Sequence, residues 1–287
     1  MNTPILLSVL FLVTFMFWTG LVASTSEIVA ATHDRSLMAR AVLVNVLVVP
    51  ALGLALAQIF ELSPILRTEF LLIAFLPGGF LALNFVKLGR GNMPFTVGLV
   101  FILNLAAIAL MPLLLRWLRV ASGLTLSSPA AHALGLLLVL GLVPLLLGRW
   151  VQRGSQKIAQ ALSRPLNILS FLLFVGANIA AIQARNPAIG ALDARAIAAL
   201  ILLVLGSWVV AWGLGGPDLA TRKSLAITTS MRNVGIVLLL YARLPADSEM
   251  IGLIIAFSGL SVPMNMIFSL ALHRIGRPAG EVQPRTA

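Results

Sequence analysis

The sequence contains no cysteine in its 287 residues. This excludes disulfides, thiolate zinc sites, iron–sulfur clusters and thiolate-bound haem, and says nothing about compartment. Histidine is almost as scarce, with three in all, and the nine Asp and Glu residues fall in loops or near the ends of apolar segments. No histidine-rich metal set and no mid-segment carboxylate pair exists, so neither an enzyme nor a metal or other cofactor is expected. Charge is low overall, at 10% of residues, against about 25% in a soluble domain.

Apolar residues fill that space: 60% of the chain is hydrophobic and the mean hydropathy is +1.04. A membrane helix needs about 20 mostly apolar residues. Nine stretches qualify: Pro4–Ser24, Leu37–Phe60, Ile65–Val86, Met93–Leu118, Pro129–Arg149, Pro165–Ala184, Ala196–Gly216, Leu219–Ala242 and Met250–His273. The expected fold is therefore an all-α integral membrane protein, a single transmembrane domain over 1–275 with a disordered tail at 276–287. The first stretch has no Lys or Arg before it and is longer than a signal peptide's apolar core of roughly 7–15 residues, so it reads as a span. Polar residues in Val151–Ser163 suggest an amphipathic surface helix.

The net charge of +11 does not imply nucleic acid, because the basic residues are scattered singly in loops. They read as a topology signal. With nine spans, thirteen Lys and Arg fall on one side and six on the other, Arg232 lying inside a span. The positive-inside rule then sets the N-terminus outside and the C-terminus in the cytoplasm of a cell (inner) membrane. His132 reads as interfacial, and the five tryptophans mostly as interface anchors.

Two spans are interrupted. In the third, Leu76-Pro77-Gly78-Gly79-Phe80 loses a backbone donor at Pro77 and gains two unrestrained residues at Gly78 and Gly79. The helix should stop near Leu76 and restart near Phe80. In the eighth, Thr228, Thr229, Ser230, Arg232 and Asn233 cluster at mid-depth and Gly235 follows. An arginine there costs roughly 2.5–3.5 kcal/mol on insertion scales, so it needs a partner or a cavity. The interrupted spans run antiparallel and occupy matching places in two halves, 1–118 (one helix short) and 129–273. That is the pattern of an inverted-repeat secondary transporter with a midplane site. Half-helix N-termini meeting there would favour an anion. Candidate substrate contacts are Gly79, Phe80, Thr228, Arg232 and Asn233. Arg232 has two readings: a substrate contact, or a structural ion pair with an acid such as Glu69. Asn45, Asn104, Asn167, Asn178 and Asn265 read first as interhelix hydrogen bonds.

Pro77-Gly78-Gly79, then Arg90-Gly91-Asn92, then Ser230-Met231-Arg232-Asn233-Val234-Gly235, together with Phe17-Trp18-Thr19-Gly20-Leu21 and Pro50, resemble the bile acid:sodium symporter family. The likeness extends over nearly the whole chain, in a nine-span form lacking the family's extra first helix. It implies a core domain in which two broken helices cross, a panel domain packed against it, alternating access and organic-anion cargo. It also makes Asn265, in the last span flanking the crossing, a further substrate candidate. The sodium ligands that the resemblance implies are largely replaced. Ala82 and Leu83 stand for a Ser-Asn pair, with Asn84 one residue late. Thr96 survives as the one residual sodium-site hydroxyl, while Val100 replaces the other. Thr228 stands for an acid and Arg232 for a glutamine; Asn233 keeps its type. A guanidinium at 4 Å would repel sodium by roughly 4 kcal/mol at an effective dielectric of 20.

The expected function is thus secondary transport of small organic anions, not coupled to sodium, with membrane lipid as the only other partner. Bile-acid-like sterols, keto acids and pantothenate-like acids stay open as cargo. The alternatives are a transport-inactive sensor or scaffold on the same fold, and a sodium symporter with displaced ligands.

Overall fold

All long segments described in the computed structural model are helical; the described residues are 3–122, 135, 138–184, 193–241 and 252–275. In chain order they are α1 (Thr3–Val22), α2 (Thr25–His33), α3 (Arg35–Ile59), α4 (Pro64–Phe75), α5 (Ala82–Leu88), α6 (Met93–Ser122), α7 (Val143–Gly154), α8 (Gln156–Ala184), α9 (Ala194–Leu214), α10 (Leu219–Ser230), α11 (Val234–Tyr241) and α12 (Gly252–Arg274). Six helices among the described residues (α1, α3, part of α6, α8, α9 and α12) are long and apolar enough to cross a membrane. The expected third and eighth spans are the broken pairs α4/α5 and α10/α11. His132, the start of the expected fifth span and the tail 276–287 lie outside the described residues. Large apolar side chains such as Leu172, Val209 and Ile267 point outward, as they do where lipid rather than water is the surroundings.

Local sequence explains several departures from the expected boundaries. A nine-residue helix, α2, follows α1 directly, held by a capping box in which Ser24 and Glu27 bond each other's backbone N–H, an arrangement that satisfies two otherwise orphaned donors. The amphipathic surface helix does not form on its own. Its residues are the last turn of α7 and the first turns of α8, separated at Ser155, and Pro165 lies inside α8. Short π-turns at Val44–Val48 and Leu138–Leu142 sit just before Pro50 and Pro144. A proline inside a helix lacks the N–H for the preceding turn and crowds its carbonyl, and a wider turn relieves both.

α1 packs mainly against α7 and α8 and also touches α11 and α6. The approach to α7 is backbone to backbone. A Cβ on Gly20 would lie 1.9 Å from the Leu145 carbonyl oxygen, and one on Gly148 would lie 2.0 Å from that of Phe17. Small residues allow such contacts where no hydrophobic driving force separates helix from lipid. A second group joins α9 with α10, α3 and α12, and α5 with α6, α10 and α12. The Arg90-Gly91-Asn92 turn locks this group. Arg90 takes φ +57°, the Asn92 N–H lies 2.7 Å from Ser224 Oγ, and Asn92 Oδ1 accepts from the Phe95 N–H at 3.1 Å to cap α6.

Candidate functional site

The two helix breaks meet and bond to each other. Pro77 and Arg232 form an antiparallel bridge: the Gly79 N–H donates to the Met231 carbonyl at 3.2 Å and the Asn233 N–H to the Leu76 carbonyl at 2.9 Å. The first break follows from Pro77 and from Gly78, whose φ of +93° disfavours any residue with a Cβ. The helix stops at Phe75, as the sequence suggests, but resumes at Ala82 and not at Phe80: a turn intervenes in which the Ala82 N–H donates to the Gly79 carbonyl at 3.3 Å, and the first α-helical bond is from the Phe85 N–H to the Leu81 carbonyl at 3.0 Å. No side chain fits at Gly79, where a Cβ would stand 2.6 Å from that of Met231. The second break runs from Ser230 to Val234, as expected. Asn233 holds it open: its Oδ1 accepts from the Ile236 N–H at 3.2 Å and its Nδ2 donates to Asn104 Oδ1 at 2.8 Å.

Arg232 is 3% exposed, and its guanidinium is directed into protein oxygens. Nε donates to the Ile73 carbonyl at 3.3 Å, Nη1 to Asn45 Oδ1 at 3.3 Å and the Thr229 carbonyl at 3.2 Å, and Nη2 to the Asn45 carbonyl at 3.3 Å and to that of Ala74. Prolines leave two of these acceptors short of donors. In the π-turn the Val49 N–H goes to Val44, so the Asn45 carbonyl would look to Pro50, which has no N–H. The Ile73 carbonyl would look to Pro77, equally without one. Arg232 thus bonds the Asn45 carbonyl in α3 and, at the negative end of α4, the carbonyls of Ala74 and of Ile73, the last holding only a long contact from the Leu76 N–H at 3.4 Å; a helix C-terminus is a favourable place for a cation. Its ion pair with Glu69 does not form. Glu69 is buried, not interfacial, and accepts from the Leu253 N–H at 3.0 Å. The described residues contain one ion pair, Arg195 with Glu61 at the surface.

Beside the crossing is a narrow cavity of about 20 Å³, lined by Met231–Gly235 with Phe11, Phe80, Phe174, Phe257, Ser258 and Ser261, among others. That is room for about one water, not for an organic anion, whose site needs roughly 300–1,000 Å³. Phe80 closes it against the first helix group: its ring centroid lies 5.4 Å from both Phe11 and Phe15, 6.2 Å from Trp18 and 6.0 Å from Phe174. Trp18 is therefore buried in an aromatic cluster and not an interface anchor. Trp208 likewise stacks on Phe268.

Of the expected contacts, Phe80, Arg232 and Asn233 line this cavity, as does the break residue Gly235, whereas Gly79, Thr228 and Asn265 do not. Thr228 is buried with an unpartnered hydroxyl. Asn265 is bound internally: Oδ1 accepts from Trp208 Nε1 at 3.1 Å and lies 2.6 Å from Ser230 Oγ, and Nδ2 donates to the Ser261 carbonyl at 2.9 Å. The residual sodium-site hydroxyl of Thr96 donates to the Asn92 carbonyl at 2.7 Å. Asn84 and Asn167 pair reciprocally. Asn45 and Asn104, read from sequence as interhelix bonds, do make them, and at the crossing itself. Phe11, Phe174, Phe257, Ser258 and Ser261 carried no sequence signal beyond their place in apolar spans.

An all-helical chain with several membrane-length helices and two bonded breaks defines a multi-pass membrane protein of transporter type. Residues 9–190, more than half of the chain, match the sodium bile acid symporter family. The chain belongs to that family, whose members are membrane transporters of the bile acid and organic anion type and not enzymes. The match includes the first break and ends before the second. No curated protein matches the chain.

Proposed function

We propose that the protein is a secondary transporter of small organic anions that works by alternating access and does not couple to sodium. The observation that carries this reading is Arg232: a fixed guanidinium with five oxygens around it, at the crossing of two broken helices. A mobile sodium ion would make an anion welcome there and leave with it. The guanidinium supplies the charge permanently, so the binding field is kept and the coupling is lost. Val234 and Gly235, in the first turn of α11, line the cavity, and the positive end of a helix favours an anion; the Val234 N–H itself is taken by the Arg232 carbonyl at 3.0 Å.

In this reading the chain has nine spans arranged as an inverted repeat, with its N-terminus outside and C-terminus in the cytoplasm of the cell membrane. The α1, α7 and α8 group is the panel, the remainder is the core, and substrate lies against Phe80, Arg232 and Asn233. A cavity of about 340 Å³ at the end of α1, lined by Ser24, Glu27, Gln152, Gln156 and Gln160 among others, fits an inner access path. Opening the narrow site requires the aromatic cluster around Phe80 to part. The test is anion flux into proteoliposomes with sodium replaced by potassium or choline. Equal flux in all three supports the proposal, and a strict sodium requirement refutes it. One observation favours a transport-inactive sensor: the side chains of Arg232, Asn233 and Asn265 are all bonded within the protein. Absence of any anion uptake by well-folded protein would select that reading.

A further inference from the structure

Glu69 takes no part in the crossing, yet it is the most deeply isolated carboxyl group among the described residues. It lies early in α4 with 0% of its surface exposed. Its Oε2 accepts from the Leu253 N–H, in the first turn of α12, at 3.0 Å. Its Oε1 has no partner. The helices packed on α4 are α3, α6, α9, α11 and α12. Their charged or titratable residues are Arg35 and Arg40 on α3, Arg116 and Arg119 on α6, Arg195 on α9, Tyr241 on α11, and His273 and Arg274 at the far end of α12. Arg67 is exposed on α4 itself, and Arg232 bonds the opposite end of α4. Among those whose side chains are described, none makes an ion pair with Glu69; the side chains of Arg119 and Tyr241, and all of Arg243, Asp247 and Glu249, lie outside the described part.

We infer that Glu69 is the binding site of a coupling proton, a role that rests on the transport reading above. A carboxylate sealed from water without a cation is costly, and binding a proton removes the charge and turns one oxygen into a donor. The link it makes is well placed to act on the site. One helical turn beyond Glu69 is Ile73, whose carbonyl holds Arg232. One turn beyond Leu253 is Phe257, which lines the cavity. Gain or loss of the proton therefore alters the α4–α12 contact on both flanks of the substrate position. An oxygen lone pair of Glu69 takes the proton from water on the outer side and returns it to water on the inner side; no other bond forms or breaks. One proton per monovalent anion makes the cycle electroneutral.

The probe is taurocholate, a bile-acid sulfonate that stays ionised and so cannot carry the proton itself. In voltage-clamped proteoliposomes an inward gradient of one pH unit should concentrate it roughly tenfold at one proton per anion, with matching acidification of the lumen. Glu69→Gln should retain taurocholate exchange but lose both the accumulation and the pH-dependent carboxylic-acid C=O band in infrared spectra. Accumulation by Glu69→Gln equal to wild type overturns the inference. So does wild-type uptake without lumenal acidification, which decides the matter even if the variant fails to fold. If wild type moves no taurocholate, the transport reading fails for that cargo and the infrared band alone decides the proton site: present in wild type and lost in Glu69→Gln upholds it, absent from wild type overturns it.

Discussion

Replacing Arg232 by methionine keeps most of the side-chain volume and removes every donor. Four acceptors, the carbonyls of Asn45, Thr229 and Ala74 and the Oδ1 of Asn45, then lose the guanidinium bond, while the Ile73 carbonyl keeps a long contact with the Leu76 N–H at 3.4 Å. At about 1–3 kcal/mol for each buried acceptor left unpaired, the gross loss is roughly 4–12 kcal/mol. Against it stands relief of the several kcal/mol that burying a cation costs. The net destabilisation should be on the order of 2–4 kcal/mol, a fall of several degrees in melting temperature for the detergent-purified protein. The same oxygens should now attract a small cation, so sodium chloride should raise the melting temperature of Arg232→Met more than choline chloride does, and raise wild type by no more than choline. A variant as stable as wild type would refute the claim that the guanidinium holds the crossing together. Unfolding at lower temperature with no sodium preference would refute the claim that it stands in a cation's place.

Gly79→Ala should reduce folded yield severely, because its Cβ would meet Met231 at 2.6 Å and must push the two breaks apart; monodisperse elution on gel filtration reads this. Pro77→Ala restores an N–H that competes with Arg232 for the Ile73 carbonyl, so anion turnover should fall more than protein abundance, and unchanged turnover would remove the first break from the site. Cysteines introduced at Ser63 and Ser155 should be labelled from opposite faces of the membrane by an impermeant maleimide; labelling of both from outside would overturn the topology. Asp218 caps α10 through the Thr221 hydroxyl and N–H, and these bonds hold its carboxyl below the ordinary aspartate range. The cap is therefore fully present above the usual aspartate pKa and weakens as pH falls through and below it, and Asp218→Ala should cost about 0.5–2 kcal/mol, read as a lower melting temperature at neutral pH.

The breaks were legible because a bilayer makes composition speak: proline, two glycines and a polar run are conspicuous inside apolar spans. The partners of Arg232 were not, since four of its five acceptors are backbone carbonyls, which every residue has. Only Pro50 and Pro77 hinted at which would be free. The aromatic cluster draws on Phe11, Phe15, Trp18, Phe80 and Phe174, and nothing in the sequence separates a lipid-facing phenylalanine from one that meets its fellows across the bundle. Helix α2 was the avoidable omission, because Ser24 and Glu27 stand at capping-box spacing. The two residues before α5 form a local turn closed by the Ala82 N–H on the Gly79 carbonyl, which the sequence did not mark.

The bridge between the breaks is made by main-chain atoms alone, Gly79 to Met231 and Asn233 to Leu76. It is in effect one rung of β-ladder inside a helical protein. A rung asks for room at Gly79 but little of its neighbours' side chains, so Phe80, Leu81 and Val234 can be exchanged while the pivot persists. Selection for a new cargo can work on those positions without first dismantling the scaffold, and libraries for altered specificity belong there.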